Sequence, residues 1–317
     1  MSNETDITSA ASRKAGIWYV FVTYVVWGLL PLYWHLLKDV PSGQILAHRI
    51  FWSFIFVAIL LFFYKRWGQL KEAAASRTNR LSILACSLLI SANWFIYIWA
   101  VNNNHVIETS MGYYINPLFS VALGLIVLKE RLSRVQIFSL VLAAIGVAIM
   151  VIQFGKMPWI ALSLAVTFGF YGLAKKMLKV DAMVGLALET IFVMPVALFY
   201  LASLETSGTG AFGQSSLGAM LLMIGSGVAT ALPLLWFAEG AKRVPLSTMG
   251  FIQYVSPTIT LTLGVFIFKE AFTATHAVSF GFIWCGLLLY SLSYTKFMHG
   301  LQAKSPKKPG QYRELTK

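Results

Sequence analysis

The sequence predicts an all-α polytopic membrane protein whose ten transmembrane helices form two inverted five-helix repeats. Three observations predict it. Of 317 residues, 58% are hydrophobic and only 12% charged, about half the ~25% charge of soluble domains. Apolar runs of about 20 residues follow one another with short polar breaks, enough to cross ~30 Å of hydrocarbon at 1.5 Å per residue. The two halves of the chain also resemble each other. The ~10-residue alternation of an outer-membrane barrel does not appear.

In order, the spans read as 16–38, 43–64, 81–101, 105–128, 135–153, 157–178, 182–202, 217–240, 245–268 and 275–296. A tail (1–15) precedes the first repeat (16–153), and a basic tail (297–317) follows the second (157–296). The first run follows Arg13-Lys14 as a signal peptide would, but it is too long and lacks a small-residue cleavage pattern. It is therefore read as a span. The sizeable connections are 65–80 and 203–216, the latter rich in Ser, Gly and Thr and expected to be flexible and exposed. Cys86 and Cys285 lie inside spans and read as small core residues.

Lys and Arg fall in alternate connections. Twenty-one of the 25 lie on one side: Arg13-Lys14, the 65–80 and 129–134 connections, Lys175-Lys176 with Lys179, Lys242-Arg243 and the C-terminal tail. Lys38, Lys156 and Lys269 lie on the other, and Arg49 sits within a span. Cytoplasmic loops carry the Lys/Arg excess, so both termini are expected in the cytoplasm. The net charge of +13 thus reads as topology, and nucleic acid is not an expected partner. A lipid bilayer and a small-molecule substrate are.

The repeat is legible in "ETSMGYYINPLFSVALGLIVLKERLS" (108–133) and "LSTMGFIQYVSPTITLTLGVFIFKEAFT" (246–273). Each holds a Met-Gly, an aromatic stretch, a mid-span proline (Pro117, Pro257) and a Lys-Glu pair (Lys129-Glu130, Lys269-Glu270). "LAHRI" (46–50) aligns with "LALETI" (186–191), setting Arg49 opposite Glu189. Five spans per copy is odd, so the second copy must cross in the opposite sense. Many secondary transporters are built this way, with a central site opened to each side in turn.

Together with "LLPLYWHLL", "LAHRIFWS", "NWFIYIWAVN" and "TALPLLWFAEGAKRVPLSTMGFIQYVSPT", these runs resemble the EamA family of the drug/metabolite transporter superfamily, in its RarD branch. The likeness spans roughly residues 16–295. It implies a bacterial inner-membrane carrier with a cavity between the halves and peripheral fifth and tenth helices, which would offer surfaces for a homodimer. It fixes the transport class and not the cargo.

Polar groups in hydrocarbon are costly and tend to face the bundle interior. Asn93 and Tyr97, four residues apart on one face, form either a cavity wall or interhelical glue. Tyr113 and Asn116 precede Pro117, and Gln253 and Tyr254 precede Pro257; each proline frees the carbonyl four residues back, which needs a partner or a wet cavity. These kinks are read as the floor and ceiling of a substrate site, against a purely structural role. Trp27 and Tyr171 hold equivalent places and either face cargo or simply pack. Arg49, about 10 Å deep at helical rise, is expected to face the central cavity as an anion site or gate partner, with His48 turned about 100° away. His48 and Glu189 can change charge within the membrane and are the candidates for ion coupling or gating. Glu108 and Glu239, near span ends, and the Lys-Glu pairs are expected to be solvated charges.

No His-Glu-x-x-His helix, phosphate-binding Gly-rich loop or Cys-x-x-Cys pair occurs in the sequence, so neither metal nor cofactor is expected. A membrane enzyme or lipid-handling protein lacks a visible nucleophile–base pair, and a channel lacks a ring of like charges. Both leave the repeat unexplained.

Overall fold

The computed structural model describes residues 2–102, 105–267 and 273–293. Lys269-Glu270, the expected end of the last span and the basic tail lie outside these residues. Among the described residues every regular element is a helix: α1 (Ser2–His35), α2 (Ser42–Phe63), α3 (Trp67–Ala75), α4 (Arg77–Asn102), α5 (Val106–Ile126), α6 (Arg134–Phe154), α7 (Trp159–Met177), α8 (Ala182–Thr206), α9 (Leu217–Ala241), α10 (Leu246–Gln253), α11 (Val255–Phe266) and α12 (Ala274–Leu292). Nine stretches among the described residues are long and apolar enough to cross a membrane, counting α10–α11 as one, and α5 contributes a shorter apolar segment, Met111–Ile126.

Three boundaries differ from the sequence expectation. The tail before residue 16 is a helical continuation of the first span. The 65–80 connection contains the short helix α3. The ninth span is interrupted at Tyr254, three residues before Pro257, whereas α5 runs unbroken through Pro117. One proline of the symmetric pair therefore breaks its helix and the other does not.

Helix ends follow local chemistry. Ser133 and Gln136 form a reciprocal capping box on α6, which stops at Gly155 in the left-handed conformation (φ 75°). The Asp181 carboxylate accepts from the Met183 and Val184 N–H groups to start α8, and Ser216 caps α9. Pro41, Pro158 and Pro245 stand immediately before α2, α7 and α10, where proline cannot extend a preceding helix.

Packing is chiefly between the two halves of the chain. α1 lies on α9 and α11, α2 on α8 and α9, α4 on α7 and α8, α5 on α7 and α10, and α6 on α12. The α6–α12 seam is reciprocal: a Cβ on Gly146 would fall 2.5 Å from the Ser279 carbonyl, and one on Gly286 2.6 Å from the Ser139 carbonyl. Only glycine permits such backbone approach, the small-residue packing usual between membrane helices. Large apolar side chains such as Phe62, Ile152 and Phe199 face outward, as lipid-facing positions require.

The α8–α9 connection corrects another expectation. Gln44 of α2, itself buried, donates from Nε2 to the Thr209 carbonyl (3.0 Å) and accepts at Oε1 from the Ala211 N–H (2.7 Å). Phe212 then packs over the His48 ring at 5.2 Å between centroids. A loop whose backbone groups are met by a buried side chain is docked, not free.

Candidate functional site

Arg49 is the eighth residue of α2, on a helix that enters at Ser42. Its Nε donates to Thr230 Oγ1 of α9 at 3.0 Å. Its guanidinium carbon lies 4.7 Å from the Trp34 ring centroid and 5.4 Å from that of Trp94. The Tyr97 and Tyr113 hydroxyls, which interact with each other, are the titratable groups that stand close to it. Neither Nη group makes a hydrogen bond or ion pair among the described residues. Arg49 does not pair with Glu189, whose partner lies elsewhere.

The energetics leave a residue of unmet charge. An arginine at mid-span costs about 2.5–3.5 kcal/mol on insertion scales, and each cation–π contact returns about 0.5–2. The two indoles and one hydroxyl offset the burial but supply no anion. Tyr113, surrounded by protein, still leaves 47% of its surface uncovered, and Arg49 and Tyr97 are only half-buried. All three lie in the half of the bundle where α2 begins.

Glu189 has a different partner. Lys175 Nζ lies 2.6 Å from Glu189 Oε1, both side chains being all but inaccessible, and the Tyr171 hydroxyl donates to Oε2 at 3.5 Å. Neither Nζ nor Oε1 has a further hydrogen-bonding partner, so the two charges satisfy each other. Lys175, counted from the sequence as a loop charge, is thus an interior residue; Tyr171 and Lys175 share one helical face at four-residue spacing. A cavity of about 20 Å³, lined among others by Ser53, Trp94, Thr230, Tyr171 and Glu189, lies between this pair and the Arg49 surroundings. It has room for one water, which needs ~10–15 Å³.

The remaining predicted positions divide. Asn93 donates both amide hydrogens to α7, to the Leu164 carbonyl and Thr167 Oγ1, each at 2.9 Å. That amide nitrogen serves as interhelical glue. Trp27 packs edge-on or tilted against Tyr24, Phe168 and Phe237 at 5.3–5.7 Å between centroids, inside an aromatic cluster that also stacks Tyr171 on Phe237. Tyr254 is buried and gives its hydroxyl to the Tyr114 carbonyl (3.3 Å), while Tyr114 gives its own to the Pro257 carbonyl (3.4 Å). These tyrosines stitch α5 to the broken span. Asn116 and Gln253 are buried beside the prolines, and Asn116 Oδ1 has no partner. His48 is buried with both ring nitrogens unpartnered, turned toward Phe212.

At the opposite, basic end helix ends are tied by polar contacts that the sequence reading missed or placed in solvent, those of Glu130 and Arg66 crossing between the halves. Glu130 accepts from the Leu246 and Ser247 N–H groups (2.7 and 2.9 Å) and from Ser247 Oγ (2.7 Å), capping α10. Arg66 pairs with Asp181, Lys176 donates to the Val244 carbonyl (2.5 Å), and Lys242 to the Val180 carbonyl. Glu239 pairs with Arg243 within α9's end. At the other end of the bundle, Glu108 is buried between His105 and Lys156, each 3.5 Å away. A local signal existed for Glu130 alone: Pro245 begins a helix whose first N–H groups need an outside acceptor.

Charged groups gathered inside a helical shell with an apolar exterior mark a membrane protein with a polar interior. The model of the EamA-like transporter family matches residues 14–152 and again 156–292; the chain belongs to that family, in its RarD-like branch. It is 48% identical over 290 residues to the uncharacterized transporter YojE of Bacillus subtilis, covering 90% of this chain and 97% of that one. Against Protein RarD of Escherichia coli identity is 40% over 89% of this chain and 95% of the relative. The chloramphenicol-sensitive protein RarD of Pseudomonas aeruginosa is 28% identical over 86% and 92%. A solved crystal structure superposes with a TM-score of 0.67 at 17% identity, covering 90% of this chain and 99% of that one, a likeness of fold alone.

Proposed function

We propose that the protein is a secondary carrier, exporting small organic metabolites or drugs across a bacterial inner membrane by alternating access between two inverted five-helix repeats. Both termini lie in the cytoplasm, on the side of the Lys/Arg excess. One observation carries the reading: an arginine with an unmet charge is held between the halves, by Trp34 and Trp94 of one and Thr230 of the other. The polar ties at the basic end and the uncovered Tyr113 surface in the other half fit a state closed toward the cytoplasm. Arg49, Tyr97, Tyr113 and Asn116 line the substrate path; Trp27, Asn93, Gln253 and Tyr254 shape it from behind. The kinks at Pro117 and Pro257 are its pivots, and Glu189 and His48 serve ion coupling or gating.

Side-specific cysteine labelling tests this. In a background lacking Cys86 and Cys285, Arg66→Cys and Asp181→Cys are bridged by a short bis-maleimide, fixing the basic end. Gln253→Cys should then lose reactivity from the cytoplasm while Tyr113→Cys stays reactive from outside. Access from both sides before and after bridging would instead mean a channel. Coupling is checked by flux in proteoliposomes: rates indifferent to a pH gradient, in wild type and Glu189→Gln alike, would remove it.

A further inference from the structure

We infer that the Arg49 site binds the carboxylate of a flat, singly charged organic acid, an aromatic acid being the best-matched class. This rests on the carrier reading above and adds the substrate's chemistry. The guanidinium is already oriented, since Nε is committed to Thr230 Oγ1 at 3.0 Å. The edge carrying the two Nη groups is left free. That edge is the fork that takes a carboxylate through two parallel hydrogen bonds. The guanidinium carbon lies over the Trp34 and Trp94 rings, which hold the cation without supplying an anion.

The surroundings choose the charge and the body of the ligand. Glu189, the acid aligned with Arg49 in the repeat, is neutralised by Lys175 and leaves the arginine uncompensated. The titratable groups that face the guanidinium are Tyr97 and Tyr113, neither of them an acid at neutral pH. No second cation stands among them, so one negative charge suits the site better than a phosphate dianion. Beyond the fork, the Tyr97 and Tyr113 rings meet at 6.2 Å and 61°. They offer aromatic faces and two hydroxyls to a ring attached to the carboxylate.

The test is thermal unfolding of the purified full-length protein in detergent, titrated with benzoate, with isosteric uncharged benzamide and with inorganic phosphate. Benzoate should raise the melting temperature saturably, at an affinity at least tenfold above benzamide and phosphate. Arg49→Gln should abolish the benzoate shift, and Arg49→Lys should weaken it tenfold or more, a point charge replacing a fork. Should Arg49→Gln fail to fold, Thr230→Val keeps the charge, frees Nε and should weaken benzoate severalfold. Equal shifts with benzoate and benzamide, a preference for phosphate, no benzoate shift at all, or an unchanged benzoate shift in these variants would overturn the proposal. Reciprocal cysteine labelling retained without benzoate binding would reject the acid but keep the carrier. The reverse pattern would keep the site and reject the carrier.

Discussion

Lys175 and Glu189 form an ion pair of 2.6 Å between α7 and α8 in which both side chains are about 97% covered. Taking two charges out of water is costly, and their attraction repays it only while both are present. Lys175→Met or Glu189→Leu alone should therefore destabilise the protein by about 3–5 kcal/mol. The double substitution should recover most of the loss. Melting of the four purified proteins in detergent checks this; a double variant as unstable as the sum of the singles would show that the pair is not coupled.

The Glu130 cap predicts a local effect at the basic end. Its carboxylate meets two N–H groups and one hydroxyl of α10, and an orphaned buried donor costs about 1–3 kcal/mol. Glu130→Ala should lower stability by that order and raise maleimide reactivity of Ser247→Cys. Glu130→Gln, which keeps one acceptor oxygen, should fall between.

Asp181 gives a pH dependence. Burial pushes its carboxyl up, but the Arg66 guanidinium and the Val184 and Met183 N–H groups outweigh this and hold it below the ordinary 3.8. A depressed folded value means stability present above 3.8 and lost as pH falls through the lower folded value. The stability gap between wild type and Asp181→Asn should be constant near neutrality and begin to narrow below about pH 4. A gap that does not narrow on further acidification would assign the difference to packing.

His48 buries two ring nitrogens with no partner against the Phe212 ring. Replacing an unsatisfied polar group by an apolar one of similar shape is nearly neutral or stabilising. His48→Phe should melt within about 1 kcal/mol of wild type, or above it. If this stable variant also loses the pH dependence of flux, His48 carries the coupling; unchanged pH dependence leaves that role to Glu189.

How much of this was legible depended on whether a signal is local. The apolar runs and the alternation of basic breaks are one-dimensional properties, and the helices follow them within a few residues. Arg49 announced itself by being charged within a span. Trp34 and Thr230 did not, because an indole and a hydroxyl are ordinary in membrane helices and only the α1–α2–α9 contact selects them. Lys175 was hidden among neighbours: of Lys175, Lys176 and Lys179, rotation about α7 turns just the first inward, toward an acid on another helix. Asn93 looked the same whether it lined a cavity or tied helices, and α7 settled the use of its nitrogen. The two prolines differ in the sequence by two extra residues between the Met-Gly and Pro257, yet nothing in that spacing says that α5 stays continuous while its counterpart is interrupted at Tyr254.

The Gln44 clamp has a practical consequence for anyone mapping sidedness. The Ser- and Gly-rich stretch between α8 and α9 invites the insertion of an epitope or a reporter enzyme. A graft at Gly210 would fall between the carbonyl of Thr209 and the N–H of Ala211, the two groups that Gln44 holds, and would strip Phe212 from His48. Such a fusion reports on a damaged molecule. The turn at Gly155, where no described neighbour lies within 4 Å of a side-chain position, offers more room, provided the tag leaves in place the left-handed glycine that ends α6 and Lys156, the partner of Glu108.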